Sequence, residues 1–103
     1  MPDDSINFQS RYRVLQQQFC ADLPARLEHI LAAGQNWLGA ETEATPGGEF
    51  LISVHNLAGS AGSFGFPEIS TLCQQIEDAI RENDPASRKA IHRLLDQLQA
   101  FIK

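Results

Sequence analysis

The sequence predicts an all-α protein: an up-and-down antiparallel four-helix bundle with an N-terminal helical extension. Every apolar run of useful length in the 103 residues has the three-to-four-residue spacing of a helix, and none has the alternation of a strand. Proline and glycine stand between these runs, where helices begin and end. The runs predict helices over about 5–23, 24–38, 49–64, 67–83 and 85–102, in a single domain spanning 1–103.

Charge and composition exclude several classes of function. The chain has 13 acidic residues against 8 lysines and arginines, a net charge of -5, and no basic run interleaved with aromatic residues. We therefore expect no nucleic-acid partner. No apolar run reaches the roughly 18 residues needed to cross a bilayer, and the acidic start Met1–Asp4 is unlike a signal peptide. The expected location is the cytoplasm, without membrane contact.

The first third of the chain predicts a long helical stretch that is interrupted at Pro24. Asp4 or Ser5 can cap its start, and Gly39 follows its end. Its apolar residues keep helical spacing throughout: Phe8, Tyr12, Leu15, Phe19, Leu23, Leu27, Ile30 and Leu31. A proline inside a helix removes a hydrogen bond and costs about 3 kcal/mol. We therefore expect either a kink before Pro24 or two helices that meet there in register.

Turn residues place the remaining helices. The segment 40–48 is rich in threonine, proline and glycine and predicts a loop, and Glu49 favours the positive start of the next helix. Gly65 predicts the end of that helix, Pro67 the start of the following one, and Asp84 the cap of the last. The inward faces of these last two helices are predicted to carry Ile69, Leu72, Cys73, Ile76 and Ile80, then Ile91, Leu94, Leu95, Leu98, Phe101 and Ile102.

The two cysteines, Cys20 and Cys73, each lie beside an apolar residue in a helical pattern. Free cysteine behaves as a small hydrophobic residue, so we expect two buried, unpaired thiols and a reducing compartment.

The most informative segment is the helix predicted around His55. Its inward stripe comprises Phe50, Val54, Leu57, Ala61 and Phe64. His55 points about 140° away from Phe50 at 100° per residue, and Gly59 and Gly62 share its outward face. Each exposed glycine costs a helix close to 1 kcal/mol relative to alanine. We infer that another molecule needs the room.

The order His55, Leu57, Gly59, Ser60-Ala61-Gly62 and Gly65, followed by Leu72-Cys73-Gln74-Gln75-Ile76-Glu77, resembles the histidine phosphotransfer (HPt) domain of bacterial two-component phosphorelays. The resemblance covers about 50–80. It implies that His55 accepts a phosphoryl group from a receiver-domain aspartate or a histidine kinase and donates it to another partner. It also implies a phosphocarrier without ATPase or kinase activity of its own, and no cofactor, with Mg²⁺ on the partner receiver.

Imidazole suits this chemistry because its neutral ring is nucleophilic near neutral pH. An acceptor held against one ring N–H fixes the tautomer and leaves the other nitrogen free to attack. Glu77 is our candidate for that acceptor. Glu77 lies about as many residues after the start of its helix as His55 lies before the end of the preceding helix. In an antiparallel pair of helices the two residues are therefore side by side. The alternative is a solvated surface glutamate.

The outward face around His55 predicts a docking surface for the receiver, formed by Leu51, Ile52, Ala58, Gly59 and Gly62. Ala58 departs from the family pattern, because many HPt domains have a lysine three residues after the histidine that steadies the phosphate. Arg81 could supply a cation to the phosphoryl group instead. It could equally pair with Glu77 at four-residue spacing.

Two other functions remain open from the sequence. The bundle could be a non-phosphorylated interaction or dimerisation module, an alternative favoured by the missing lysine. A bundle that holds metal or haem is disfavoured, because His29 and His92 have no partners at metal-ligand spacing. The sequence leaves open the donor, the acceptor, the oligomeric state and whether the chain is a domain of a larger regulator.

Overall fold

The computed structural model describes residues 4–39 and 48–102, with side chains from residue 8 onward. These residues form four helices: α1 (Asp4–Gly39), α2 (Gly48–Ser63), α3 (Pro67–Glu82) and α4 (Pro85–Gln99). The all-α prediction is confirmed. Residues 40–47 of the loop predicted over 40–48 lie outside the described residues, whereas Gly48 already begins α2. The side chains of the predicted caps Asp4 and Ser5 also lie outside the described part.

The helices pack as a ring in which neighbours in the chain are neighbours in space. α2 packs against α1 and α3, while α4 packs against α3 and closes the ring on α1. Short connections between α2 and α3 and between α3 and α4 make these pairs antiparallel. The resulting architecture is the predicted up-and-down four-helix bundle.

The core lies along the ring axis, and each helix contributes one stripe to it. Its fully buried large side chains are Leu27, Ile30, Phe50, Val54, Leu57, Ile69, Cys73, Ile76, Ile80, Ile91 and Leu98. At one point α1 comes so close to its neighbours that a Cβ on Gly34 would lie 2.8 Å from a Leu95 methyl group and 3.0 Å from the Phe50 ring. Any side chain at this position would have to displace Leu95 or the Phe50 ring from the packed core, and glycine avoids that displacement.

α1 is continuous through Pro24, which differs from the two separate helices 5–23 and 24–38 predicted from the sequence. Pro24 is exposed, whereas Leu23 and Leu27 beside it are buried in the core. The hydrogen bond that the proline removes therefore lies on the solvent side, where water can satisfy the freed carbonyl group. Packing on the opposite side holds the two halves of α1 in one helix.

The N-terminal part of α1 extends beyond the bundle. A helix of 36 residues is about 54 Å long, more than twice the length of each of the others. Phe8 and Leu15, which share the helical spacing of the apolar residues of α1, are 70% and 52% exposed. Cys20 is also exposed, so the prediction of two buried thiols is wrong at that position. The spacing of Phe8, Leu15 and Cys20 predicts their direction from α1, but no described part of α2, α3 or α4 covers them.

The base of this extension is bound to the end of α2. The Tyr12 hydroxyl group donates to the Ser63 carbonyl oxygen at 2.8 Å, and Gln16 Nε2 donates to the Phe64 carbonyl oxygen at 3.0 Å. The Phe19 ring stacks on the Phe64 ring with centroids 5.3 Å apart. These bonds satisfy carbonyl groups that the end of a helix leaves without partners, and they anchor the α2–α3 turn.

The α2–α3 turn has the local geometry that its sequence predicts. Gly65 has φ +90°, a left-handed conformation that glycine adopts without strain. The Phe66 N–H donates to the Ala61 carbonyl oxygen at 2.8 Å, the six-to-one bond of a Schellman motif. Pro67 begins α3, as predicted. The turn fixes how far α3 runs back along α2, and hence which residues of the two helices lie side by side.

α4 begins with a capping box. Asp84 Oδ1 accepts from the Ser87 backbone N–H at 2.7 Å, and Ser87 Oγ accepts from the Asp84 backbone N–H at 2.8 Å. α4 ends at Gln99, three residues earlier than predicted, and Phe101 is 38% exposed instead of facing the core. After Gln99 the backbone N–H groups of 100–102 donate to carbonyl groups three residues earlier, as in a 3₁₀-helix, so the period of α4 does not continue to Phe101.

Candidate functional site

His55 lies on the solvent side of α2, and its side chain is 67% exposed. Val54 and Leu57, its neighbours on the helix, are completely buried. The helix is thus anchored directly beneath the imidazole, which leaves the ring itself accessible to another molecule.

Glu77 of α3 contacts this ring. Its Oε1 lies 2.9 Å from His55 Nδ1, and its side chain is only 17% exposed. The two residues are 22 apart in the sequence and meet because the tight α2–α3 turn makes the helices antiparallel. The structure therefore brings together the histidine and the carboxylate that the sequence analysis selected.

Arg81 occupies the other oxygen of the same carboxylate. Arg81 Nη2 donates to Glu77 Oε2 at 2.8 Å and Nε donates to it at 3.3 Å. The pKa of the Glu77 carboxyl group is lowered, first by the hydrogen bond from Arg81 and then by that from His55, against the opposing effect of desolvation. The carboxylate is therefore ionised at neutral pH and is shared between two donors.

The arrangement specifies a tautomer for His55. An ionised carboxylate is only an acceptor, so Nδ1 must carry the proton, and this assignment follows from the hydrogen-bond network. In the neutral ring the lone pair then resides on Nε2. Among the described residues Nε2 has no hydrogen-bond partner. The site can therefore present a nucleophilic nitrogen to an electrophile that arrives from solvent.

Gly59 and Gly62, both exposed on α2, have different local surroundings. A Cβ on Gly59 would meet nothing within 4 Å, so no contact within the described residues requires a glycine there. A Cβ on Gly62 would lie 3.3 Å from Ser70 Oγ, a tight contact with α3. Helix packing therefore explains Gly62, whereas Gly59 leaves open space one turn from His55.

The apolar part of the predicted docking surface around His55 is smaller than expected. Ile52 is 62% exposed, Leu51 is half-buried against the core, and Ala58 is only 7% exposed. The prediction that Ala58 lies on the outward face is wrong. Ala58 is turned about 60° from His55 towards α3, where the Ser70 hydroxyl group donates to its carbonyl oxygen at 2.8 Å.

Ser70 is a residue that the sequence analysis missed. It is buried, and it ties α3 to α2 between Ala58 and Gly62. The signal that could have revealed it is the pair of small residues four positions apart on α2, because small side chains allow two helices to approach closely. This contact helps to hold α3 at the distance at which Glu77 reaches His55.

The other candidate residues form no comparable site. His29 Nε2 lies 3.0 Å from Glu49 Oε1, with both side chains more than half exposed, and His92 is exposed on α4. Burial raises the pKa of the Cys73 thiol to about 12, which makes it unreactive. Within residues 4–39 and 48–102, no group of three histidine, cysteine or acidic side chains is placed to hold a metal ion. None of the described helices is long and apolar enough to cross a membrane.

Comparison with known families identifies the chain. The family model of the Hpt domain matches residues 14–102, a span that contains His55, Glu77 and the whole of α2, α3 and α4. No curated protein and no solved structure gives a significant match. Hpt domains are helical bundles that serve as phosphocarriers in phosphorelays, where they interact with receiver domains and histidine kinases. A match over so much of the chain shows that it belongs to the Hpt domain family.

Proposed function

We propose that this chain accepts a phosphoryl group on Nε2 of His55 and passes it on, between receiver domains or between a histidine kinase and a receiver. The observation that carries the proposal is the 2.9 Å contact between His55 Nδ1 and Glu77 Oε1 under a ring that is 67% exposed. It combines a fixed tautomer with an accessible nucleophile.

The transfer step balances without any group beyond the two proteins and the receiver's Mg²⁺. The Nε2 lone pair attacks the phosphorus atom of the aspartyl phosphate, the P–O bond to the aspartate breaks, and the carboxylate leaves with that electron pair. The ring keeps its Nδ1 proton and gains positive charge as the N–P bond forms. The Glu77 carboxylate, already ionised, lies where it offsets this charge. The onward transfer is the reverse of these steps on another aspartate.

Within the described part of the chain, little positive charge is available to the phosphoryl group itself. Ala58 stands where many relatives have a lysine, and its side chain is buried against α3. Arg81 is bound to Glu77. We therefore propose that the receiver supplies the Mg²⁺ and cations that neutralise the phosphoryl oxygens, and that this chain contributes nucleophile and surface, with no cofactor of its own.

The receiver is proposed to dock on the outward face of α2. Ile52 offers an exposed apolar side chain one turn before His55, and Gly59 offers bare backbone one turn after it. Leu51, which is half-buried, and Gly62, which lies against Ser70, form the edges of this surface. The buried side chain of Ala58 is not available for contact with the receiver. A single exposed apolar side chain is common on protein surfaces, so the support for this docking face is the position of Ile52 and Gly59 on either side of His55.

The test is phosphorylation by labelled, phosphorylated receiver domains from the same organism. We expect label on the wild-type chain that is stable in base and lost in acid, as for an N–P bond, and none on His55→Gln. His29→Gln is the matched control and should be labelled as the wild type. If no receiver and no kinase labels the wild type, the phosphocarrier proposal fails and the interaction-module alternative takes its place.

A further inference from the structure

Arg81 shares the Glu77 carboxylate with His55, and the two oxygens are divided between them. Oε1 faces His55 Nδ1 at 2.9 Å, while Oε2 accepts from two nitrogens of the Arg81 guanidinium group, at 2.8 Å and 3.3 Å. The terminal torsion of a glutamate side chain is otherwise broad. A two-donor contact on one oxygen restricts that torsion and leaves the other oxygen aimed at the ring.

The Glu77–Arg81 pair is favoured by α3 alone. Glutamate four residues before arginine is the stabilising order on a helix. Arg81 also lies in the last turn of α3, where a cation interacts favourably with the helix dipole. The carboxylate can therefore be oriented on α3 whether or not His55 is engaged, which is what pre-organisation requires.

The exposed fractions of the His55, Glu77 and Arg81 side chains agree with a role of Arg81 in orienting Glu77. His55 and Arg81 are 67% and 59% exposed, whereas Glu77 between them is 17% exposed. Water can compete for the outer two groups, but it has limited access to the carboxylate that joins them. Loss of Arg81 would free Oε2 to rotate and would let water take a share of the carboxylate.

We infer that Arg81 is a positioning residue for the transfer: it acts through Glu77, by holding the carboxylate in the orientation that binds His55 Nδ1. This inference rests on the function proposed above. It differs from a direct contact between Arg81 and the phosphoryl group, in which Arg81 would act without Glu77. The two roles are separable because only the first one disappears with the Glu77 side chain.

The experiment is a double-mutant cycle on the initial rate of phosphoryl transfer from a receiver. We expect Arg81→Gln to slow transfer about two- to fivefold, the range of a partly exposed ion pair. In a Glu77→Ala background the same substitution should have no further effect. Arg81→Lys, which keeps the charge but lacks the fixed fork of donors, should fall between wild type and Arg81→Gln.

A second readout follows the ring directly. ¹⁵N NMR of His55 should show protonated Nδ1 in the wild type and a larger share of the other tautomer in Arg81→Gln. Arg93→Gln removes the same charge from an exposed position on α4, a helix that does not pack against α2. It should leave both the rate and the tautomer unchanged.

Two results would overturn the inference. The first is an equal slowing by Arg81→Gln in the Glu77→Ala background, which would assign Arg81 to the phosphoryl group or the partner. The second is a transfer rate and a tautomer that Arg81→Gln leaves unchanged. Either result requires a wild-type chain that is labelled on His55, so both are distinguishable from failure of the proposed function, in which the wild type itself takes no label.

Discussion

His55 and His29 both lie against a glutamate, at 2.9 Å and 3.0 Å respectively. The surroundings of the two pairs differ in three ways. His55 uses Nδ1 and turns Nε2 outward, whereas His29 uses Nε2, the nitrogen farther from the backbone. Glu77 is 17% exposed and Glu49 is 74% exposed. Glu77 also has Arg81 as a second partner, and among the described residues Glu49 has only His29.

This difference supports the proposal that a short histidine–carboxylate distance is not sufficient for a phosphoryl acceptor. Glu49 lies in the first turn of α2, where a carboxylate is favoured by the helix dipole whatever lies near it. Its contact with His29 is an exposed pair of the kind that contributes little. The His55 pair joins a shielded, oriented carboxylate to an outward ring nitrogen, and that combination carries the proposed chemistry.

The largest expected difference between the two pairs is in transfer rate. Glu77→Ala should slow phosphorylation of His55 about 10- to 100-fold, because both tautomers of the ring become populated. This range lies at or below the lower end of the contribution of a positioned general acid or base. Glu49→Ala should leave the rate unchanged. Initial rates with a phosphorylated receiver measure both, and equal rates for the two variants would remove the distinction drawn here.

A smaller effect is expected from the surface beside His55. Ile52→Asp should weaken receiver binding about tenfold, the loss typical of a buried interface residue. Val14→Asp is the matched control, since Val14 is 51% exposed on α1 and Ile52 is 62% exposed on α2. Titration calorimetry or surface plasmon resonance gives both affinities. Equal weakening by the two substitutions would place the receiver elsewhere or indicate a nonspecific charge effect.

Gly59→Ala should stabilise the fold while it slows phosphoryl transfer. The new Cβ meets nothing within 4 Å, so α2 should gain up to about 1 kcal/mol from helix propensity. Transfer should slow about five- to tenfold if receiver backbone approaches here, the lower end of the cost of an overpacked contact. Gly62→Ala should gain less stability, because its Cβ would crowd Ser70 at 3.3 Å. Thermal unfolding and transfer rates test this, and unchanged transfer in Gly59→Ala would contradict the clearance role.

The smallest expected effect is on the pH dependence of stability. Folding lowers the pKa of Glu77 below its ordinary value of 4.5, chiefly through Arg81. A carboxyl group of this kind stabilises the fold above its unfolded pKa, and the stabilisation is lost as the pH falls through the folded pKa. The free energies of urea unfolding of wild type and Glu77→Gln should differ by less than about 1 kcal/mol near pH 7, since His55 and Arg81, the two groups that bind Glu77, are both more than half exposed.

The difference between wild type and Glu77→Gln should shrink as the pH falls below the unfolded pKa of Glu77 and through its lowered folded pKa. A difference that grows on acidification would show that the carboxyl group is not held in its ionised form. The charges that act on Glu77 come from His55 on α2 and from Arg81 on its own helix. Unfolding of Arg81→Gln over the same range therefore separates the two contributions.

Local features of the chain could be predicted from the sequence because they depend on residues close together in it. The Gly65 turn, the start of α3 at Pro67 and the Asp84 cap all follow from backbone preferences within one helical turn. The outward direction of His55 follows in the same way, since the period of the helix fixes its angle from the buried Phe50, Val54 and Leu57. Helix register and a tight turn also placed Glu77 near His55.

Predictions failed where the answer depends on which helix lies opposite. Cys20 has the spacing of a core residue, yet it is exposed because no neighbouring helix among the described residues covers it. Phe101 has that spacing too, but it lies beyond the end of α4, where the helical period no longer sets its direction. Ala58 was assigned to the surface, yet it is buried because Ser70 brings α3 against it. Pro24 predicts a break, yet α1 continues because its core side is held by packing.

The sequence by itself determined the helical segments, the starts of α3 and α4 and the side of α2 on which His55 lies, because these features arise from interactions between residues a few positions apart. Only the tertiary structure decided that Glu77 is shielded and shared, with one oxygen on His55 and the other on Arg81. It also decided that Gly59 faces open space while Gly62 faces Ser70. Apart from the Glu77–Arg81 contact, which lies within α3, these outcomes depend on the distance between α2 and α3, which packing sets and no local pattern encodes.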